Sequence, residues 1–188
     1  MHSIISLYPD HILQKAARIK LIAFDIDGVL TDGGIIYDNA GNEFKRFHVR
    51  DGQIIGVLRQ LGFKTCAITG RDSPVVKFRC EELKIDFHYH GVQDKLGVLD
   101  VVRKKLQLNY HEIAYIGDDL PDIAPISICG LGVTPADAPE YVKAQADLIT
   151  ASKGGQGVLR EVSDLILASQ DMLEKILREK YYLNENLF

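Results

Sequence analysis

Asp25-Ile26-Asp27-Gly28-Val29-Leu30-Thr31-Asp32 follows directly on the apolar run Leu21-Ile22-Ala23-Phe24, and no other stretch constrains the chain as much. Four successive apolar residues running into turn-forming Asp and Gly predict a buried strand. It ends in a tight turn that carries both carboxylates at the edge of a sheet. Side chains at i and i+2 share a strand face, and where the chain curls at a strand end both can aim at one point. Two like charges 4 Å apart repel by about 1 kcal/mol even in bulk water, and by more in a less polar site. A positive group is therefore required between them. The ordinary alternative is an Asp-Gly turn that happens to hold a second Asp.

A second short apolar run, Ile113-Ala114-Tyr115-Ile116, ends in Gly117-Asp118-Asp119-Leu120-Pro121-Asp122. In open α/β sheets ligands bind outside the carboxyl ends of the strands, so carboxylates at two such ends converge despite their separation in sequence. Asp25, Asp27 and Asp118 can then share one hard divalent cation through oxygen ligands. Mg²⁺ fits such a set because it accepts a few carboxylates and keeps waters and phosphate oxygens. No soft-metal pattern competes, since Cys66, Cys80 and Cys129 lack CxxC spacing and the histidines show no HExxH arrangement. Two further strand ends fit the same frame. The run 63–68 leads into Thr69-Gly70-Arg71, and the run 85–89 is followed by Gly91-Val92-Gln93-Asp94-Lys95. The Thr69 hydroxyl and a backbone N–H at Gly70 can bind phosphoryl oxygens, and the Lys95 ammonium can neutralise both nucleophile and transferring group. Alone, a Thr-Gly pair is ordinarily a helix cap and a lysine a solvated charge; four strand ends in this order are not ordinary.

With 188 residues, 46% hydrophobic and 26% charged, the chain suits one globular domain with a sizeable core. A net charge of −4 without a Lys/Arg run argues against a nucleic-acid surface. Three cysteines without framework spacing suit free thiols in a reducing cytoplasm, and no apolar run approaches a membrane span. A soluble cytoplasmic protein is expected. Ile12, Leu13, Ala16 and Ala17 after Pro9-Asp10 predict a short amphipathic helix in an N-terminal extension, residues 1–19, outside the catalytic core. A strand over 20–24 follows. Ile35-Ile36-Tyr37 and the run 44–49 flank a polar, glycine-containing turn and read as a hairpin. Helices are expected at Ile54 to Leu61, Val75 to Leu83 and Leu96 to Leu106, later strands at 130–133 and 147–150, and one apolar helical stripe from Val158 to Leu177. Alternating strands and helices give an α/β fold, a doubly wound Rossmann-like parallel sheet. Gly154-Gly155-Gln156-Gly157 reads either as a loop leading into a helix or as a segment reaching a neighbouring site. In the C-terminal part, 171–188, a helix end passes into a partly disordered tail carrying Tyr181, Tyr182 and Phe188.

The ordered set DIDGVLTD, ITGR, GVQDK and GDDLPD resembles the haloacid dehalogenase superfamily of phosphotransferases. Within it, Gly33-Gly34-Ile35-Ile36-Tyr37, Phe47-His48-Val49-Arg50-Asp51-Gly52, Thr69-Gly70-Arg71 and Gly154-Gly155-Gln156-Gly157 are similar to the phosphatases of 3-deoxy-D-manno-octulosonate 8-phosphate, an eight-carbon sugar acid phosphate of lipopolysaccharide precursor synthesis. The likeness spans about residues 19–170, and a phosphatase domain over 20–170 is expected. The resemblance implies an Mg²⁺-dependent monoester hydrolase. Asp25 is then the nucleophile that becomes an aspartyl-phosphate, and Asp27 the general acid and base, binding the metal through its backbone carbonyl. Thr69 and Lys95 hold phosphoryl oxygens, Asp118 completes the metal site, and Asp119 and Asp122 orient a water or Lys95. Arg50, Arg71 and Arg79, with Asp51, Gly52 and Gly70, match the family's substrate segments, and guanidinium suits the sugar acid carboxylate. Gly56 stands where many relatives carry a further arginine. The spacing between motifs leaves no room for a cap domain. Relatives of this kind cover their sites by forming homotetramers, which is the assembly expected here. Three alternatives stay in view: a phosphatase for a related nine-carbon sugar acid 9-phosphate, a non-catalytic phosphatase-like oligomerisation module, and a phosphorylated receiver domain. The last normally places its acidic pair and its phosphorylated Asp on different strands.

Overall fold

The computed structural model describes residues 2–181. In chain order it contains helices α1 (His2–Ile5) and α2 (Asp10–Ala16), strand β1 (Leu21–Phe24), the hairpin β2 (Ile36–Tyr37) and β3 (Glu43–Phe44), α3 (Val49–Gln60), β4 (Lys64–Ile68), α4 (Pro74–Leu83), β5 (Phe87–Tyr89), α5 (Lys95–Lys105), β6 (Ile113–Ile116), α6 (Ile123–Ile128), β7 (Leu131–Thr134), α7 (Glu140–Lys143), β8 (Leu148–Ile149), α8 (Val158–Ser169) and α9 (Met172–Tyr181).

Six strands form one sheet in the order β5-β4-β1-β6-β7-β8, and every pair is parallel. The chain lays β4 and β5 on one side of β1 and then crosses back to place β6, β7 and β8 on the other, so the order reverses between β1 and β6. Register makes this reversal useful. Phe24 stands opposite both Ala67 and Ile116, so β1 and β6 end level, β4 ends one residue beyond, and their following loops open on the same edge. Such a switch point is where open α/β sheets bind ligands.

Strand residues alternate between two apolar layers, as a period of two dictates. Ile22, Phe24, Ala67, Ile116 and Val133 pack with α2, α3 and α8 through residues such as Ile12, Ile55, Leu58, Val162 and Ile166. Leu21, Ala23, Cys66, Ile68 and Tyr115 pack with Leu99, Val102, Ile126 and Val142 of α5, α6 and α7 on the opposite face. Both faces are covered, which is the doubly wound arrangement expected. The segment read from sequence as an extension, 1–19, sends Ile12, Ala16 and Ile19 into the first of these layers. No cap domain stands between β1 and β4 or between β4 and α5.

Local differences have local causes. The second half of the hairpin is shorter than the run 44–49 suggested. Pairing ends at Phe44, and Val49 already opens α3, whose N-terminus His48 caps by accepting from Arg50 N–H at 3.3 Å. The terminal stripe divides into α8 and α9 at Asp171, which has a positive φ of 57°. Just before it, the Gln170 amide donates to Ala16 O at 3.2 Å and Ile19 O at 2.9 Å, tying the break to the C-terminal end of α2. Tyr181 ends α9, whereas Tyr182 and Phe188 lie outside the described residues. Among the described residues no helix is long and apolar enough to cross a membrane.

Asp51 joins two distant helices. It lies buried in the first turn of α3, and its Oδ1 accepts from Arg160 N–H at 2.8 Å in the first turn of α8. A carboxylate that satisfies a helix N-terminal N–H contributes about 1–2 kcal/mol. Asp51→Ala should therefore lower the thermal midpoint, by roughly 2–4 °C per kcal/mol for a chain of this size. Thermal denaturation followed by circular dichroism measures it, and an unchanged midpoint would show that the tie does not stabilise the fold.

Candidate active site

Asp25 is the first residue beyond β1, and its N–H donates to Ile116 O at 2.9 Å, which fixes it at the level where β6 ends. Its Oδ1 accepts from Ile26 N–H at 2.7 Å, and its Oδ2 lies 2.8 Å from Lys95 Nζ. Lys95 opens α5 behind an Asp94 N-cap that accepts from Gly97 N–H at 2.9 Å. The same ammonium donates to Asp122 Oδ1 at 2.7 Å, an oxygen that also accepts from the Tyr115 hydroxyl at 2.7 Å. Asp122 sits in a 3₁₀ turn, Leu120–Asp122, just after β6, and its Oδ2 accepts from the N–H groups of Asp118 and Asp119, both at 3.3 Å. Asp118 turns its carboxylate over Gly28, whose φ is +86°, and a Cβ at Gly28 would lie 1.9 Å from Asp118 Oδ2. Only glycine meets both demands at that position.

Asp25, Asp27, Thr69, Arg71, Lys95 and Asp118 line one cleft of about 290 Å³. Carboxylate oxygens of Asp25, Asp118 and Asp122 all lie within 4.8 Å of one another. Asp118 Oδ1 is buried and accepts no hydrogen bond. One ammonium faces three carboxylates here, so negative charge is in excess. Burial, the Asp122 charge and only partial relief from Lys95 push Asp25 up from 3.8 to about 7. Burial and then the charges of Asp25 and Asp122 push Asp118 up from 3.8 to about 8. Burial would lower Lys95, but Asp25 and Asp122 outweigh it and hold the ammonium above its ordinary value. An all-oxygen set with an unsatisfied buried oxygen suits a hard divalent cation such as Mg²⁺. Asp122 is already committed to Lys95 and Tyr115, which leaves Asp25 and Asp118 as the side chains able to hold it.

Asp27 faces the hairpin. Its Oδ1 accepts from Lys45 Nζ at 2.6 Å and from Thr31 Oγ1 at 3.3 Å. The Lys45 side chain is wholly buried, and its ammonium also lies 3.2 Å from Glu43 Oε1. Arg71 donates through Nη2 to the Tyr37 hydroxyl at 3.0 Å and to Glu43 Oε1 at 3.3 Å, and its Nε lies 3.8 Å from Asp27 Oδ2. Ser73 donates to Glu43 Oε2 at 2.6 Å. Lys45, Glu43 and Tyr37 were not read from sequence as site residues. The signal was present in the alternation Glu43-Phe44-Lys45, which turns both charges to one side and leaves Phe44 exposed.

Thr69 is buried, with its N–H donating to Tyr89 O at 3.0 Å, and Gly70 lines the cleft beside it. The remaining sequence candidates are dispersed. Asp119 caps its own turn by accepting from Leu120 N–H at 2.8 Å, also accepts from the Tyr141 hydroxyl at 3.2 Å, and makes no hydrogen bond with Lys95; Asp122 holds that ammonium. Arg50 is exposed on α3, and Asp51 points to α8. Gly52 packs beneath Arg79, where a Cβ would lie 2.6 Å from Nη2. Arg79 pairs with Glu82 at 2.6 Å and stacks on Phe47 at 5.5 Å, bordering a separate hollow. Gly155, with φ +68°, donates its N–H to Val29 O at 2.9 Å, so the glycine-rich loop braces this chain's own first turn.

Residues 89–162 match the haloacid dehalogenase-like hydrolase family. The chain is 40% identical over 157 residues to the 3-deoxy-D-manno-octulosonate 8-phosphate phosphatase of Haemophilus influenzae, covering 84% of this chain and 87% of that protein. It is 42% identical over 165 residues to the Yersinia pestis phosphatase of the same name, covering 88% of each. The crystal structure of the Moraxella catarrhalis enzyme, in complex with magnesium ion, phosphate ion and KDO, superposes with a TM-score of 0.88 at 42% identity, over 90% of this chain and 98% of that one.

The raised carboxyl pKa values set a pH dependence. Because Asp25 and Asp118 bind protons more tightly folded than unfolded, their contribution to stability is fully present below about pH 4. It is lost as pH climbs through about 7 and about 8. In chelator the melting temperature should fall between pH 5 and pH 8.5, and Mg²⁺ should restore it most at the alkaline end. A flat profile in chelator would contradict this charge balance.

Proposed function

The chain belongs to the haloacid dehalogenase-like hydrolases, in company with the 3-deoxy-D-manno-octulosonate 8-phosphate phosphatases, and we propose that it hydrolyses that sugar acid phosphate to the free acid and inorganic phosphate. The observation that carries the reading is the Asp25–Lys95–Asp122 bridge beside Asp118, assembled from the segments that follow β1, β5 and β6. Asp25 attacks phosphorus while the sugar alkoxide departs, forming an aspartyl-phosphate and dividing one hard displacement into two. Asp27 gives a proton to the departing oxygen and later takes one from the water that cleaves the acyl phosphate. Lys95 and the Thr69 hydroxyl neutralise and hold the phosphoryl oxygens, with Asp122 and Tyr115 keeping the ammonium aimed. Asp25, Asp118 and the Asp27 backbone carbonyl would hold Mg²⁺, which supplies charge neutralisation at the transferring group. Lys45 acts as a positioning residue that fixes the Asp27 carboxylate. Arg71 sits at the cleft mouth, suited to the substrate carboxylate.

The assembly proposed is a homotetramer. Ile36 and Phe44 on the hairpin are more than half exposed, as are Val49 and Phe78 nearby, an apolar surface that a neighbouring copy would cover. A cytoplasmic setting suits Cys66, Cys80 and Cys129, which are buried and unpaired.

Phosphate release from a panel of sugar phosphates tests the reaction. The eight-carbon compound should exceed hexose phosphates in kcat/KM by roughly 10²-fold, the discrimination available from a few polar contacts. Preference for the nine-carbon acid phosphate would shift the substrate, and an inert tetramer would favour the oligomerisation module. Asp25→Asn should cost at least about 10³-fold in kcat, and Lys95→Ala about 10²–10³-fold. Lys45→Ala should lower kcat by about tenfold or more with less effect on KM, the pattern of a group that holds another in place.

A further inference from the structure

Away from the acidic cleft, the thiol of Cys80 on α4 and one ring nitrogen each of His88 and His90 lie within 4.8 Å of one another. The sequence shows no soft-metal spacing, and it is the fold that brings these three side chains together. Lys84, at φ 56°, ends α4 and turns the chain back, with Ile85 N–H donating to Cys80 O at 3.1 Å. β5 then runs beside the helix with His88 and His90 two residues apart, on one face of the extended chain. His88 Nδ1 and His90 Nε2 stand 2.9 Å apart with their rings edge-on. His90 Nδ1 is enclosed without a hydrogen-bond partner. Cys80 is fully buried, while both histidines keep partial exposure and so an opening to solvent.

We propose that Cys80, His88 and His90 form a binding site for a soft divalent transition-metal ion, with Zn²⁺ the fitting occupant. Tetrahedral Zn²⁺ bonds nitrogen at about 2.0–2.1 Å and sulfur at about 2.3 Å, so its ligand atoms stand roughly 3.3–3.6 Å apart. The two rings share a hydrogen bond of 2.9 Å that the ion would replace, and the three ligand atoms already lie within 4.8 Å of one another. Three protein ligands leave a fourth position for water. One sulfur and two imidazoles discriminate against Mg²⁺, so this site and the acidic cleft sort ions by hardness. On binding, the Cys80 thiol gives its proton to solvent and ligates as thiolate. Burial and then the Glu81 charge push that thiol up to about 12, and the metal's charge offsets the cost. The site also adjoins the cleft through backbone. Tyr89, between the two histidines, accepts from Thr69 N–H at 3.0 Å, and Gly91 N–H donates to Arg71 O at 3.3 Å. Metal occupancy thus bears on the loop that presents Thr69 and Arg71.

Cobalt(II) titrated into the full chain with Mg²⁺ in excess tests the site. One equivalent should bind with a thiolate-to-cobalt charge-transfer band that Zn²⁺ displaces. Cys80→Ser should abolish the band. His88→Leu and His90→Gln, which spare the buried core, should each weaken Zn²⁺ binding at least about tenfold. Asp118→Asn should leave the band intact. The proposal is overturned if the unaltered chain gives no such band, if the band survives Cys80→Ser, if either histidine variant binds Zn²⁺ undiminished, or if Asp118→Asn removes it.

Discussion

One buried ammonium holds the centre of this molecule. Lys95 Nζ touches carboxylate oxygens of Asp25 and Asp122 at 2.8 and 2.7 Å with its side chain almost wholly removed from water. A buried ion pair stabilises only when the geometry is good and every remaining polar atom is satisfied, because desolvation costs several kcal/mol per ion. Asp122 meets that condition through the Tyr115 hydroxyl and two backbone N–H groups. Asp118 does not, since its Oδ1 is buried without a partner, and the oxygens of Asp25, Asp118 and Asp122 crowd one another with one ammonium among them. The fold has placed uncompensated negative charge at the carboxyl edge of its sheet, an arrangement suited to a cation. That arrangement spends stability on the site, as functional centres commonly do.

Much of this was legible in the sequence because the responsible residues stand next to their structural signals. Asp25, Asp118, Thr69 and Lys95 each follow an apolar run, and a parallel sheet brings the ends of such runs together. What the sequence left open depended on side-chain direction over long separations. Asp51 reads as a site carboxylate in a Val-Arg-Asp-Gly segment, yet it serves the start of α8 more than a hundred residues away. Lys45 reads as one charge in a β-prone run, yet its burial against Asp27 follows from where the hairpin lies over the cleft. The break between α8 and α9 was hidden because Val158 to Leu177 keeps an apolar stripe through it, and only the Gln170 contacts with α2 explain the interruption.

The hairpin serves two surfaces at once. Its inner side is polar and bonded, with Glu43, Lys45 and Tyr37 meeting Asp27, Arg71 and Ser73. Its outer side is apolar and exposed. Two-residue strands have little intrinsic stability, so the polar contacts beneath must fix the hairpin's position over the cleft. Anything packed on the outer side would press on the residues that hold Asp27, so the two surfaces are mechanically joined through a hairpin of only two short strands.

The central place of β1 has a consequence for how the protein comes to exist. Its two lateral partners, β4 and β6, are in register with it from 43 and 92 residues farther along, Leu21 pairing with Lys64 and with Ile113. A nascent chain leaving the ribosome therefore carries its most apolar strand early and must wait for both neighbours. The helix that closes the layer over it, α8, arrives later still and docks on α2 near the beginning. Loop closure on this scale makes such parallel sheets slow to form. Synthesis from one end therefore leaves the apolar faces of β1 without their partners until β6 and α8 have been made, the kind of exposure that invites aggregation.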